Sequence, residues 1–105
     1  MNAPAIRADG DMARFPIGRI YDQDLPGVRF SGIVGADTFG CAITVEALVA
    51  HYGAKQRQSE QILQAFDWNR AAIERIADRL IAQQLSEPHR LVVIRSAELL
   101  ARRAA

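Results

Sequence analysis

The spacing of apolar and polar residues changes character twice along this chain. Residues 1–13 show no apolar period and contain Pro4 and Gly10, which predicts a flexible N-terminal tail. From Phe15 to Thr44, short alternating runs are divided by turn residues, the pattern of antiparallel strands. Arg19-Ile-Tyr21 is the first strand. Leu25-Pro-Gly27 fits a type II turn, with proline setting φ and glycine accepting positive φ. Val28–Val34 alternates, and a change of phase at Gly32 predicts a bulge. Gly35-Ala-Asp37 closes a hairpin onto Thr38–Thr44.

The period then becomes helical. Thr44 is placed to cap a first-turn N–H, Glu46 sits where the helix dipole favours negative charge, and Gly53 ends the helix. Between them Ala47, Leu48 and His51 or Tyr52 fall at helical spacing. A long second helix is expected from Lys55 or Ser59 to Gln84. Its apolar stripe holds Ile62, Phe66, Asn69, Ile73, Ile76, Ala77 and Leu80. Pro88 excludes continuation. His89–Arg95, rich in β-branched residues, is expected to return as a last strand, and Ser96 to cap a short helix over 97–103. Strands and helices are segregated, so the fold class is α+β. A small, mainly antiparallel sheet of three to four strands packs against a short helix and one long helix. The order is β-β-β-α-α-β with a short C-terminal helix, and residues 14–105 form a single domain.

Bulk properties narrow the functional classes only slightly. The chain has 105 residues, half of them apolar, and a net charge of +1. That is enough chain for a core without metal or disulfide support, and it exerts no global pull on nucleic acid or anionic membrane. The lone cysteine, Cys41, excludes an intrachain disulfide and agrees with a reducing compartment. No secretory leader and no apolar run of roughly 20 residues is present, so a cytoplasmic location is expected and a membrane partner is not.

Several short segments together resemble a family of small bacterial proteins, domain of unknown function 1488. They are Val28-Arg-Phe-Ser-Gly32, Cys41-Ala-Ile-Thr-Val-Glu-Ala-Leu48, His51-Tyr-Gly-Ala54, Ile62-Leu-Gln-Ala-Phe66, Asn69-Arg70 and Ile73-Glu74. The resemblance spans residues 15 to 80 and, less clearly, the last strand. The family usually has phenylalanine where this chain has Tyr52. The resemblance implies a compact α+β domain and carries over no catalytic residue, cofactor or partner.

Cys41, Glu46 and His51 are the residues an enzyme would draw on. Glu46 and His51 lie about 140° apart on a helix and so do not share a face. Cys41 sits among apolar neighbours, as a core thiol does. Cys41, His51 and His89 contain no closely spaced ligand pair, and no metal or other cofactor is expected. Asn69, inside the apolar stripe, is expected to be a buried polar residue, as is His51. The Asn69 amide then either bonds the backbone of a neighbouring segment or lines a polar pocket. Trp68 projects from the polar side at about 240° from Ile62, with Ala72, Arg75 and Arg79. This is the composition of an interface anchor, and an exposed Trp68 implies a symmetric dimer; alternatively the C-terminal segment folds over it.

Arg57, Arg70, Arg75, Arg79, Arg90, Arg95, Arg102 and Arg103 raise nucleic acid as an alternative partner. The interleaving of Arg70, Arg75 and Arg79 with Asp67, Glu74 and Asp78 argues instead for a helix face neutralised by its own ion pairs. The leading expectation is therefore a non-catalytic interaction or regulatory module with a protein partner. A nucleic-acid-associated protein comes second, and an enzyme based on Cys41 last.

Overall fold

The computed structural model describes residues 13–55 and 58–99. Four strands form one sheet in the order β1-β2-β3-β4: β1 Ile20–Asp22, β2 Gly27–Val34, β3 Asp37–Thr44 and β4 Val92–Ile94. β1, β2 and β3 pair antiparallel, and β4 adds to β3 in parallel. A parallel neighbour requires a crossover. Here it is made by the helices α1 Val45–His51, α2 Ser59–Trp68 and α3 Arg70–Ala82. Val28, Phe30, Phe39, Cys41, Ile43, Val92 and Ile94 face the helices. There they meet Leu48, Ile62, Phe66, Ile73 and Ile81, all buried. The α+β class thus stands, with a mixed sheet.

The β2–β3 register is unbroken from Gly27 opposite Thr44 to Val34 opposite Asp37, so the bulge expected at Gly32 is absent. Gly32 serves close packing instead. A Cβ there would lie 2.8 Å from Ile81 Cδ1 and 3.0 Å from Phe15 Cε1. Gly27 likewise does not take positive φ. It lies in β2, where a Cβ would run into the Ile43 carbonyl oxygen, and the Leu25–Pro26 peptide before it is cis rather than part of a type II turn. Asp22 organises that turn. Its carboxylate accepts from the backbone N–H groups of Asp24 (2.9 Å) and Leu25 (3.2 Å) and from Arg29 Nε (2.7 Å). The Asp24 N–H first, and Arg29 next, hold the Asp22 carboxyl below its ordinary pKa.

The run from Cys41 to Ala54 folds as its residues dictate. The Thr44 hydroxyl accepts from Ala47 N–H at 3.1 Å, Gly53 takes φ 76°, and Ala54 N–H reaches back to Leu48 O at 3.2 Å.

The expected long helix is bent into two. Asn69, at φ −114° and ψ 16°, separates α2 from α3. Its side chain donates to Ala65 O (2.8 Å), competing with the backbone ladder at that turn. The ladder still crosses the bend: Asn69 N–H donates to Ala65 O (3.2 Å) and Phe66 O (3.1 Å), and Ile73 N–H to Asn69 O (3.0 Å). After the bend the buried stripe turns, so Ile81 is fully buried and Leu80 only partly.

β4 is shorter than the expected 89–95 strand. Arg90 N–H donates to Glu87 O (3.0 Å), and Gln84 Nε2 donates to Arg90 O (2.8 Å), which holds residues 87–90 in a turn. Residues 96–99 begin a helix, but Arg95 rather than Ser96 occupies its cap: Arg95 N–H donates to Glu98 Oε1 at 2.8 Å. Residues 100–103 of the expected helix lie outside the described residues.

Candidate functional site

α2 and α3 bury one stripe and present two flanks beside it, and the flanks differ. Measured from the buried stripe of each helix, Asp67, Arg70, Glu74 and Asp78 lie roughly 50–150° to one side. Trp68, Ala72 and Arg79 lie roughly 110–130° to the other, and Arg75 nearly opposite the core.

The first flank holds residues 13–19. Arg14 pairs with Ile33 at the sheet edge, with Arg14 N–H donating to Ile33 O (2.9 Å) and Ile33 N–H to Arg14 O (2.8 Å). The chain then leaves β2 until Ile20 pairs with Arg29. This strap is fastened along its length. Ala13 N–H donates to Asp78 Oδ1 at 2.9 Å, and Phe15 packs on Phe30 with ring centroids 6.1 Å apart. Arg70 donates to the carbonyls of Pro16 (2.6 Å), Ile17 (2.7 Å) and Gly18 (3.5 Å). Arg70 also pairs with Glu74 at 2.8 Å and lies 5.2 Å over the Phe66 ring. Arg19 makes a two-point contact with Asp67 at 3.0 and 2.8 Å, which holds the Asp67 carboxyl below its ordinary pKa. Ala13, the last residue of the expected tail, is therefore buried; residues 1–12 lie outside the described residues.

Sequence reasoning missed this strap because none of its contacts is local. Asp67 and Asp78 do not neutralise α3 as expected. Of the anticipated pairs along the helix only Arg70–Glu74 forms. The cue in the sequence was a pair of carboxylates at one-turn multiples from Arg70, with no indication that their partners precede residue 20.

The other flank is not covered by any described residue. Trp68 is 76% exposed, and no described residue folds over it. Arg75 and Arg79 are exposed and have no ion-pair or hydrogen-bond partner among the described residues; Ala72 is half-buried between them and Trp68. Two further large apolar side chains are exposed on the strap side, Ile17 (89%) and Ile20 (64%). They border open grooves of about 500 Å³, which includes Arg19, Asp67 and Arg70, and about 340 Å³, which includes Arg29, Ser31 and Gly40.

The remaining candidates do not converge. Cys41 is fully buried, its thiol donating to Phe39 O at 3.6 Å, and burial pushes its pKa up to about 12. Glu46 is exposed at the start of α1 and His51 is half-buried at its end. Neither Asn69 nor His51 is fully buried, contrary to expectation. Asn69 Nδ2 donates to Tyr52 O at 3.2 Å, tying the loop after α1 to the α2–α3 bend. Among the described residues no three His, Cys, Asp or Glu side chains are grouped to hold a metal ion, and no helix is long and apolar enough to cross a membrane. Arg90 pairs with Glu87 at 3.3 Å and Arg95 is exposed; Arg57, Arg102 and Arg103 lie outside the described residues.

A small α+β domain with a four-stranded mixed sheet and a kinked helix pair across one face is the class these features define. A family model described as "Protein of unknown function (DUF1488)" matches residues 14–93, and the chain belongs to this family. The match begins at the strap and reaches into β4, so it takes in the last strand, where the sequence resemblance was less clear than over 15–80. A crystal structure at 1.60 Å resolution, of a protein of unknown function from the same family from Shewanella loihica PV-4, is similar in fold. Its TM-score is 0.70 at 24% identity, over 79% of this chain and 91% of that one. No curated protein matches.

Proposed function

We propose that this protein is a non-catalytic interaction module of the cytoplasm, acting through protein–protein contacts made by the Trp68 flank of α2 and α3. The observation that carries the reading is the 76% exposure of Trp68 beside Arg75 and Arg79, exposed and unpaired among the described residues. Tryptophan and arginine are the residues most enriched at the energetic centres of protein interfaces, and a solvated indole is otherwise an unfavourable use of a large apolar ring. The enzyme reading loses its nucleophile, because a thiol raised to about 12 by burial is not ionised near neutral pH. Native protein is expected to react with a thiol reagent only as fast as it unfolds; fast labelling of folded protein at pH 7.5 would reopen that reading.

A photo-crosslinking residue at position 72, introduced in the native cell, tests the interface. It is expected to trap protein, with the yield falling at least tenfold in Trp68→Ala. No product from folded, expressed protein overturns the proposal. Exposure of Trp68 is also the condition for a symmetric dimer through this flank, for which sedimentation of wild type and Trp68→Ala is the direct measurement.

A further inference from the structure

The helix charges are divided unevenly. Asp67 is engaged with Arg19, Glu74 with Arg70, and Asp78 with the Ala13 N–H, all on the strap side. Glu74 and Asp78 are the only carboxylates of α3, so its other flank carries Arg75 and Arg79 with no partner among the described residues. We propose that this flank receives an acidic segment of another protein, whose carboxylates pair with Arg75 and Arg79 while an apolar side chain covers Trp68. This rests on the reading of the flank as a protein interface and names its partner's chemistry.

The geometry sets what fits. Arg75 and Arg79 are one turn apart, about 6 Å along the axis, and Trp68 precedes Arg75 by two turns, about 10 Å. A carboxylate pair one helical turn apart, followed two turns on by a leucine-like residue, matches that spacing as an antiparallel helix. The guanidinium groups are exposed and unpaired among the described residues, so no ion pair there has to break before they accept carboxylates. The same charges disfavour a second copy of the chain. A twofold axis passing between Arg75 and Arg79 would bring four guanidinium groups together with no α3 carboxylate to meet them, and like charges across an interface oppose association. They also disfavour nucleic acid. Two arginines neutralise about two phosphates, a contact that physiological salt largely removes.

Crosslinking from position 72 in the native cell, with the trapped peptide identified, tests the proposal. The expected product is a different protein joined through a segment in which Asp and Glu outnumber Lys and Arg. Arg75→Glu/Arg79→Glu is expected to lower its yield at least tenfold, Arg75→Gln/Arg79→Gln by less, and Arg75→Lys/Arg79→Lys least. Unchanged circular dichroism and thermal melting of the purified variants separate loss of contact from loss of fold. A product of twice this chain's mass, a segment without carboxylates, or a yield indifferent to charge reversal overturns the acidic partner and leaves the interface reading intact; a nucleic-acid adduct in place of a protein product overturns both. No product at all overturns both.

Discussion

The two flanks of the α2–α3 pair differ in composition and in employment. On the strap side Arg70 meets three carbonyls, Glu74 and the Phe66 ring, Asp67 meets Arg19, and Asp78 meets Ala13, so each of these charged groups has a partner inside the protein. On the other side an indole and two guanidinium groups face solvent. A charged helix surface is thus not one kind of surface. Where a second segment lies across it, the charges act as fasteners for backbone; where none does, the same residue types stay available to another molecule.

Substitutions at neighbouring positions should expose the contrast, beginning with the largest effect. Phe66 is fully buried, with its ring centroid 5.2 Å from that of Phe30, so Phe66→Ala should cost about 3–5 kcal/mol in chemical denaturation. A loss below about 1 kcal/mol would place Phe66 outside the core. Arg70→Ala removes the strap's main fastener and should cost about 1.5–3 kcal/mol. It should also speed amide exchange at Ala13 and Arg14, whose N–H groups are bonded to Asp78 and Ile33, more than in β3. Uniform acceleration across the protein would mean that the strap is not a separate unit.

Asp67→Asn tests the strap through pH. The Asp67 carboxyl is held below its ordinary value, chiefly by Arg19, so the folded state binds the carboxylate form better than the unfolded state does. The stabilisation is present above the unfolded value near 3.9 and is lost as pH falls through the lower folded value. The Tm of wild type should therefore exceed that of Asp67→Asn at pH 7, and the gap should close toward pH 3. A gap that widens on acidification contradicts the pairing. The smallest effect belongs to the free flank: Trp68→Ala and Arg75→Ala/Arg79→Ala should each change stability by no more than about 0.5 kcal/mol. A larger loss at Trp68 would show that this residue is structural and would remove the ground for an interface.

Much of the fold was legible because it is encoded locally. Thr44 and Gly53 bracket α1 through contacts three to six residues long, and the alternation in Val28–Val34 and Thr38–Thr44 defines the central hairpin. Trp68, Ala72, Arg75 and Arg79 were also legible as a set, since helical spacing alone puts them on one side. Gly32 was misread because a glycine in an alternating run signals a bulge and a close approach equally well, and only Phe15 and Ile81, 17 and 49 residues away, distinguish the two. Asn69 was misread in degree: its place in the stripe was plain, but the bend that leaves it half-buried depends on the Tyr52 carbonyl brought up by α1.

By itself, then, the sequence determined the elements, their order and the core faces, all of which follow from periods and caps spanning a few residues, and its segments carried the resemblance to the family. The tertiary structure decided that β4 joins β3 in parallel, that Asp67 and Asp78 serve the strap 48 and 65 residues earlier, and that Arg75 and Arg79 find no partner among the described residues. The physical reason is that a charged side chain on a helix surface reaches neighbours one turn away and distant backbone at comparable cost. Which of these it meets depends on what the rest of the chain lays across that flank.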